Sequence, residues 1–204
     1  MTVAPVIFVV DDDPSARSTL KFLLGTVGLK VESFDSADSF LREKLPDVPC
    51  CLVVDVRLPG LSGLDFQREL AARNIHIPSV FVTGHGDIPM SVRAMKAGAV
   101  EFLTKPYRDQ DLLDAIHIAL ERDRERREKE KEETELQQRF NLLTPSERKV
   151  ISMVASGMLN KQIAGELGTA ENTVKVHRSR AMEKMQAQSL ADLVKMMEKL
   201  KGRL

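Results

Sequence analysis

Three segments are almost continuously apolar: Val6–Val10 (VIFVV), Cys51–Asp55 (CLVVD) and Ser79–Thr83 (SVFVT). Short runs of this kind, without polar alternation, predict strands covered on both faces. Lys30–Phe34 and Val100–Leu103 read as two further strands. Between the strands, apolar residues recur at helical spacing over Pro14–Val27, Ser36–Leu45, Gly63–Arg73, Met90–Ala97 and Gln110–Leu120. Strand and helix alternating five times predict an α/β doubly wound, five-stranded parallel sheet. From Thr144 onward only helical periodicity remains. Thr144-Pro145-Ser146-Glu147 has the form of a capping box with proline at the first helical position. Asn160–Leu167 is short and ends at Gly168, Glu171–Met185 follows, and Ser189-Leu190-Ala191-Asp192 opens a last helix. That helix carries Leu190, Leu193, Val194, Met197 and Leu200. A second, all-α domain of four helices is expected there.

The connector Glu121–Glu135 has 14 charged residues out of 15. It reads either as a solvated linker or as a long helix continuing the one before it. The helical reading draws on opposite charges four apart (Asp123–Arg127, Arg124–Glu128, Glu125–Lys129, Arg126–Glu130), each worth about 0.2–0.5 kcal/mol. It has no coiled-coil seam, because no apolar residue falls between Leu120 and Leu136. The expected domains are therefore 1–120, a charged connector 121–139, and 140–204.

Composition narrows the classes. Hydrophobic residues make up 43% of the 204, enough for packed cores, and no window approaches about 18 apolar residues. Met1–Pro5 carries no basic region of a signal peptide, so a cytoplasmic protein without a membrane association is expected. Cys50 and Cys51 are adjacent and read as buried, reduced strand residues. The net charge of zero conceals −1 over residues 1–108, −4 over 109–139 and +5 over 140–204. A small basic domain hints at nucleic acid.

Candidate chemistry collects at the carboxyl ends of the predicted strands, where open α/β sheets bind ligands. Asp11, Asp12 and Asp13 end the first strand, Asp55 the third and Thr83 the fourth, and Lys105 follows the fifth. With strand order 2-1-3-4-5, Asp11, Asp12 and Asp55 converge. Carboxylates so placed repel one another unless a hard cation such as Mg²⁺ is shared. A carboxylate facing a phosphoryl donor is a plausible nucleophile, giving an aspartyl phosphate, with Lys105 and Thr83 binding phosphoryl oxygens. Asp13 before Pro14 reads as a helix cap.

These residues resemble the receiver domains of two-component response regulators. The likeness is carried by Val9-Val10-Asp11-Asp12, Val54-Asp55-Val56-Arg57-Leu58-Pro59-Gly60-Leu61-Ser62-Gly63, Thr83-Gly84-His85-Gly86-Asp87 and Phe102-Leu103-Thr104-Lys105-Pro106, and covers residues 5–120. It implies a flavodoxin-like fold and phosphorylation of Asp55 by a sensor histidine kinase. It also implies Mg²⁺ held by Asp12, Asp55 and the Arg57 carbonyl with Asp11 acting through water, a switch pair Thr83 and Phe102, and a cis Lys105–Pro106 bond. Gly84 and Tyr107 stand where many receivers have alanine and phenylalanine.

In the basic block, a short helix, a glycine turn and a basic second helix suggest helix-turn-helix. On Glu171–Met185, Val174, His177, Ala181 and Met185 share one face. Asn172, Lys175, Val176, Ser179 and Arg180 share the other, with Arg178 at its edge, a surface suited to a major groove. Leu143-Thr144-Pro145-Ser146-Glu147, Gly157, Asn160-Lys161-Gln162-Ile163-Ala164, Leu167-Gly168 and Thr173-Val174-Lys175-Val176-His177 resemble the LuxR-type DNA-binding domain. Both blocks together, with His85-Gly86-Asp87-Ile88-Pro89-Met90, are similar to the FixJ subfamily and its StyR-like regulators. The resemblance implies contacts to double-stranded DNA from Lys161, Thr173, Lys175, Val176, Arg178, Ser179 and Arg180. Ala170 stands where the family usually has a capping serine; Thr169 is an alternative cap.

The expected function is a phosphorylation-controlled transcription factor and not an enzyme, beyond phosphorylation and dephosphorylation of itself. It is expected to form a homodimer on phosphorylation, with Val92, Met95 and Val100 as candidate dimer residues, some of which must pack in the core. The rivals are an aspartate-nucleophile phosphatase, from the D-x-D pattern at Asp11–Asp13, and a DNA-binding protein indifferent to phosphate.

Overall fold

A computed structural model describes residues 4–201, Lys201 through its backbone only. Residues 1–3 and 202–204, at the outer ends of the expected domains and including part of Met1–Pro5, lie outside the described residues. The chain divides into two compact units at the junction of Arg127 and Glu128.

The first unit contains strands β1 (Val6–Val10), β2 (Lys30–Phe34), β3 (Cys50–Asp55), β4 (Ser79–Thr83) and β5 (Glu101–Thr104). They form one parallel sheet in the order β2-β1-β3-β4-β5. Helices α1 (Pro14–Thr26), α2 (Ala37–Leu41), α3 (Gly63–Ala72), α4 (Ile88–Lys96) and the start of α5 (Asp109–Asn141) alternate with the strands. The continuous apolar runs are explained by the two cores. Phe8, Leu52, Val54 and Phe81 point into a layer with Phe40, Phe66 and Leu70. Their strand neighbours Ile7, Val9, Val53 and Val82 point into the opposite layer with Leu20, Leu24, Leu112 and Ile116. β1, β3 and β4 are buried along their whole length, whereas the edge strands β2 and β5 are not.

α2 stops at Leu41 rather than at Leu45, with Arg42 as its C-cap. Pro46 and Pro49 follow closely, and residues before proline are steered away from helical dihedrals. Val100 is buried in the second layer, so it does not belong to an exposed patch; Val92 and Met95 are 44% and 43% exposed.

α5 resolves the connector as helix. It runs unbroken over 33 residues, without Gly or Pro, and carries ion pairs Glu121–Arg124, Asp123–Arg127 and Glu135–Arg139. Asp123, inside the charged run, is fully buried in the first unit. Its Oδ2 accepts the Cys50 N–H at 2.9 Å and Arg127 Nε at 2.7 Å, and its Oδ1 accepts Arg126 Nη2 at 2.7 Å. Arg127 also reaches Asp47.

The second unit holds the end of α5, then α6 (Pro145–Ala155), α7 (Asn160–Leu167), α8 (Glu171–Met185) and α9 (Leu190–Lys201). Leu136 and Leu143 join Val150, Ile151, Ile163, Val174, Met185 and Leu193 in its core. The capping box forms: Thr144 Oγ1 accepts the Glu147 N–H, and Glu147 Oε2 accepts the Thr144 N–H. Buried Glu147 also takes Lys184 Nζ at 2.7 Å, joining α6 to α8. Gly168 closes α7 with φ 62°, a left-handed turn that costs glycine no Cβ clash. No described helix is long and apolar enough to cross a membrane.

Candidate functional site

At the carboxyl edge of the sheet, Asp11 leaves β1 and Asp55 ends β3, because β1 and β3 pair in register up to Val10 and Val54. Both carboxylates are nearly buried, at 1% and 9% residue exposure. Lys105, just past β5, donates from Nζ to Asp11 Oδ2 and to Asp55 Oδ2, each at 3.0 Å. The two carboxylate oxygens therefore lie no more than twice that distance apart. Their other oxygens take backbone donors: Asp13 N–H at 2.9 Å on Asp11 Oδ1 and Arg57 N–H at 2.8 Å on Asp55 Oδ1. Partial burial works against the charge on Lys105, but the hydrogen bonds and negative charge of Asp11 and Asp55 hold the ammonium above the usual lysine value.

Local geometry fixes each group. Asp13 caps α1 through the Ser15 N–H at 2.8 Å. α3 begins hard against the end of β3. A Cβ on Gly63 would overlap the Asp55 carbonyl oxygen and stand 3.0 Å from Val56 Cα, so only glycine fits. Thr83 is fully buried; its Oγ1 accepts the His85 N–H at 3.3 Å and its carbonyl takes the Lys105 N–H at 2.7 Å. Phe102 is half-buried and stacks on Phe81, ring centroids 6.5 Å apart. The Lys105–Pro106 bond is cis, and Tyr107 packs against the second core layer.

Of the three carboxylates expected to converge, Asp11 and Asp55 are joined through Lys105 while Asp12 is exposed. Among the described residues no three His, Cys, Asp or Glu side chains gather as a metal cluster. The donor set still suits a hard cation. Two nearly buried carboxylates share one ammonium, the exposed Asp12 adjoins them in sequence, and Arg57, whose carbonyl is the further expected ligand, follows Asp55 by two residues.

One participant escaped the sequence reading. Arg17, on α1, donates from Nη1 to the Asp11 carbonyl at 2.7 Å and the Asp12 carbonyl at 3.0 Å. Its spacing, six and five residues beyond the aspartates, offered a signal only once α1 was known to fold back over the strand end.

On the second unit, α8 buries Val174, Ala181 and Met185, with His177 half-buried beside them. Thr173, Lys175, Val176, Ser179 and Arg180 are exposed, as is Lys161 on α7. Arg178 differs: it is half-buried and donates to Asn160 Oδ1 at 3.3 Å, bridging α8 to α7. Ala170 is the N-cap of α8, and no side chain caps that helix, Thr169 included.

Comparison with known proteins matches the family described as "Response regulator receiver domain" over residues 7–117. The chain belongs to the two-component response regulators. The family "Bacterial regulatory proteins, luxR family" matches residues 141–197. Nodulation protein W of Bradyrhizobium diazoefficiens is 58% identical over 195 residues, covering 96% of this chain and 86% of that protein. Transcriptional regulatory protein FixJ of Azorhizobium caulinodans is 42% identical over 190 residues, 93% of this chain and 90% of that protein. A solved structure of the response regulator StyR has a TM-score of 0.87 at 51% identity, covering 97% of this chain and all of that one. A receiver followed by a LuxR-type domain is the make-up of a phosphorylation-dependent transcriptional regulator.

Proposed function

We propose that Asp55 is the phosphoacceptor. The carrying observation is the buried pair Asp11–Asp55 bridged by Lys105, with the Asp55 carboxylate itself part-exposed at 12% of its side-chain surface. An Asp55 carboxylate oxygen attacks phosphorus; the bond to the leaving group, a kinase histidine nitrogen or an acetate oxygen, breaks. Lys105 exchanges its bond to Asp55 for one to a phosphoryl oxygen, and the Thr83 hydroxyl donates to another. Mg²⁺, held by Asp12, Asp55 and the Arg57 carbonyl with Asp11 through water, would neutralise and orient the phosphoryl oxygens. Thr83 moving toward the phosphoryl group leaves room for Phe102 to turn inward, reshaping the surface of α4 and β5. A homodimer then forms through that surface, where Ile88, Val92 and Met95 are exposed.

The domain assignment proposed is a receiver at 1–120, a helical connector at 121–139 and a DNA-binding domain at 140–204. Lys161, Thr173, Lys175, Val176, Ser179 and Arg180 face DNA. Arg178 reaches DNA only by leaving Asn160, or acts by holding α7 and α8 together. The chain's own chemistry is limited to its phosphorylation and dephosphorylation, in the cytoplasm.

Incubation with acetyl phosphate and Mg²⁺ tests the reading. An adduct mapped to Asp55 in wild type and missing in Asp55→Asn supports it. Turnover of phosphate esters through Asp11 would make the chain a phosphatase instead. No adduct at all would leave a DNA-binding protein indifferent to phosphate.

A further inference from the structure

We propose that Arg17 is a positioning residue that holds the Asp11–Asp12 backbone in the shape a divalent cation requires; this rests on the reading of Asp12 and Asp55 as cation ligands. The chain turns from strand to helix within three residues here. The last ladder bond is Asp11 N–H to Phe34 O, and the first helical bond beyond the cap is Arg17 N–H to Asp13 O. Between them stand the carbonyls of Asp11 and Asp12. Arg17 Nη1 takes both, at 2.7 and 3.0 Å. The Asp11 carboxylate is already fixed by Asp13 N–H and Lys105. Asp12 is exposed, so the position of its backbone determines where its carboxylate reaches. With that backbone strapped, only the Asp12 side chain remains to be ordered when it becomes a ligand.

Arg17 acts on a bound cation in two opposed ways. Its charge repels the cation, whereas its two hydrogen bonds remove the cost of ordering the loop. Partners that orient metal ligands typically matter 10–100-fold in affinity. Arg17 is half-buried, so solvent and salt weaken the repulsion from its guanidinium in part. The strap therefore outweighs the repulsion, and loss of Arg17 weakens cation binding although it removes a positive charge.

The test is calorimetric titration of the full, unphosphorylated chain with MgCl2. In Arg17→Met the dissociation constant rises about tenfold; in Arg17→Lys it rises less. In Lys21→Met, which removes an exposed charge one turn further along α1, it is unchanged or slightly lower. In phosphorylation by acetyl phosphate, the half-saturating Mg²⁺ concentration of Arg17→Met rises by the same factor, while the maximal rate changes less than about threefold. Equal or tighter Mg²⁺ binding by Arg17→Met overturns the proposal. Should that variant lose its fold by circular dichroism, a folded Arg17→Ala with wild-type affinity overturns it equally. Wild-type protein that fails to bind Mg²⁺ overturns the cation-site reading and the strap with it. Wild-type binding with unaltered Arg17 variants overturns the strap alone.

Discussion

Strand β3 carries a carboxylate–cation cluster at each end, and the two are built differently. At its end, Asp55 and Asp11, with side chains 12% and 2% exposed, share one lysine. At its start, the Cys50 N–H binds Asp123, whose side chain is 1% exposed and is gripped by Arg126 and Arg127. Arginine presents a fixed fork that never loses its proton; lysine is a compact point charge on a flexible stem. The cluster that holds sets two forks on one carboxylate. The cluster proposed to exchange partners stretches one ammonium between two carboxylates and leaves Asp55 part-exposed. Buried charge alone therefore does not mark a reactive site; a replaceable partner does.

The comparison breaks most visibly at Asp123. Asp123→Ala removes the acceptor that Arg126, Arg127 and the buried Cys50 N–H share and is expected to cost about 3 kcal/mol in urea denaturation. Phosphorylation of the folded variant by acetyl phosphate should stay at the wild-type rate; a slowed reaction would mean the two ends of β3 are not independent. Next is Lys105→Arg. If exchange needs a movable ammonium, a fork locked across Asp11 and Asp55 should slow phosphorylation roughly 100-fold, with stability little changed. A near-normal rate would erase the distinction between the clusters.

Glu147 sharpens it from the second unit. The hydrogen bond from Lys184 holds its carboxyl below the usual value near 4.5, against the opposing effect of burial. A carboxyl depressed in the folded state stabilises fully above its unfolded value, and that contribution is lost as pH falls through the folded one. Thermal melts should therefore drop on acidification below about pH 4.5, and Glu147→Gln should flatten that drop. The smallest effect concerns the thiols. Burial pushes Cys50 up to about 11 and Cys51 further still. Neither should react with an alkylating reagent at pH 8 until urea unfolds the protein.

Much of this was legible in the sequence, because apolar runs and the residues ending them obey short-range rules. Asp55 and Thr83 stand at strand ends that the apolar runs mark, whereas β5 lies one residue later than its expected Val100–Leu103, at Glu101–Thr104. What stayed hidden depends on contacts distant in sequence. In a run with 14 charges out of 15, nothing distinguishes Asp123 from its neighbours until α5 is laid against the start of β3. The length of α2 turned on prolines beyond its periodic segment. Of Val92, Met95 and Val100, some of which had to pack in the core, the sequence does not reveal which turns inward; it is Val100. Helical spacing places Arg178 at the edge of the polar face but does not show that Asn160 of the preceding helix lies within its reach.

Phosphate on Asp55 is proposed to change the partners of Lys105 and Thr83, and through them the α4–β5 surface. Sedimentation velocity of the full chain, with and without acetyl phosphate and Mg²⁺, tests this. Wild type should be a monomer without phosphate and a dimer with it, and a Thr83→Ala variant should be phosphorylated but remain monomeric. A phosphorylated wild type that stays monomeric at concentrations where it binds DNA, or a Thr83→Ala variant that dimerises as well as wild type, would contradict it.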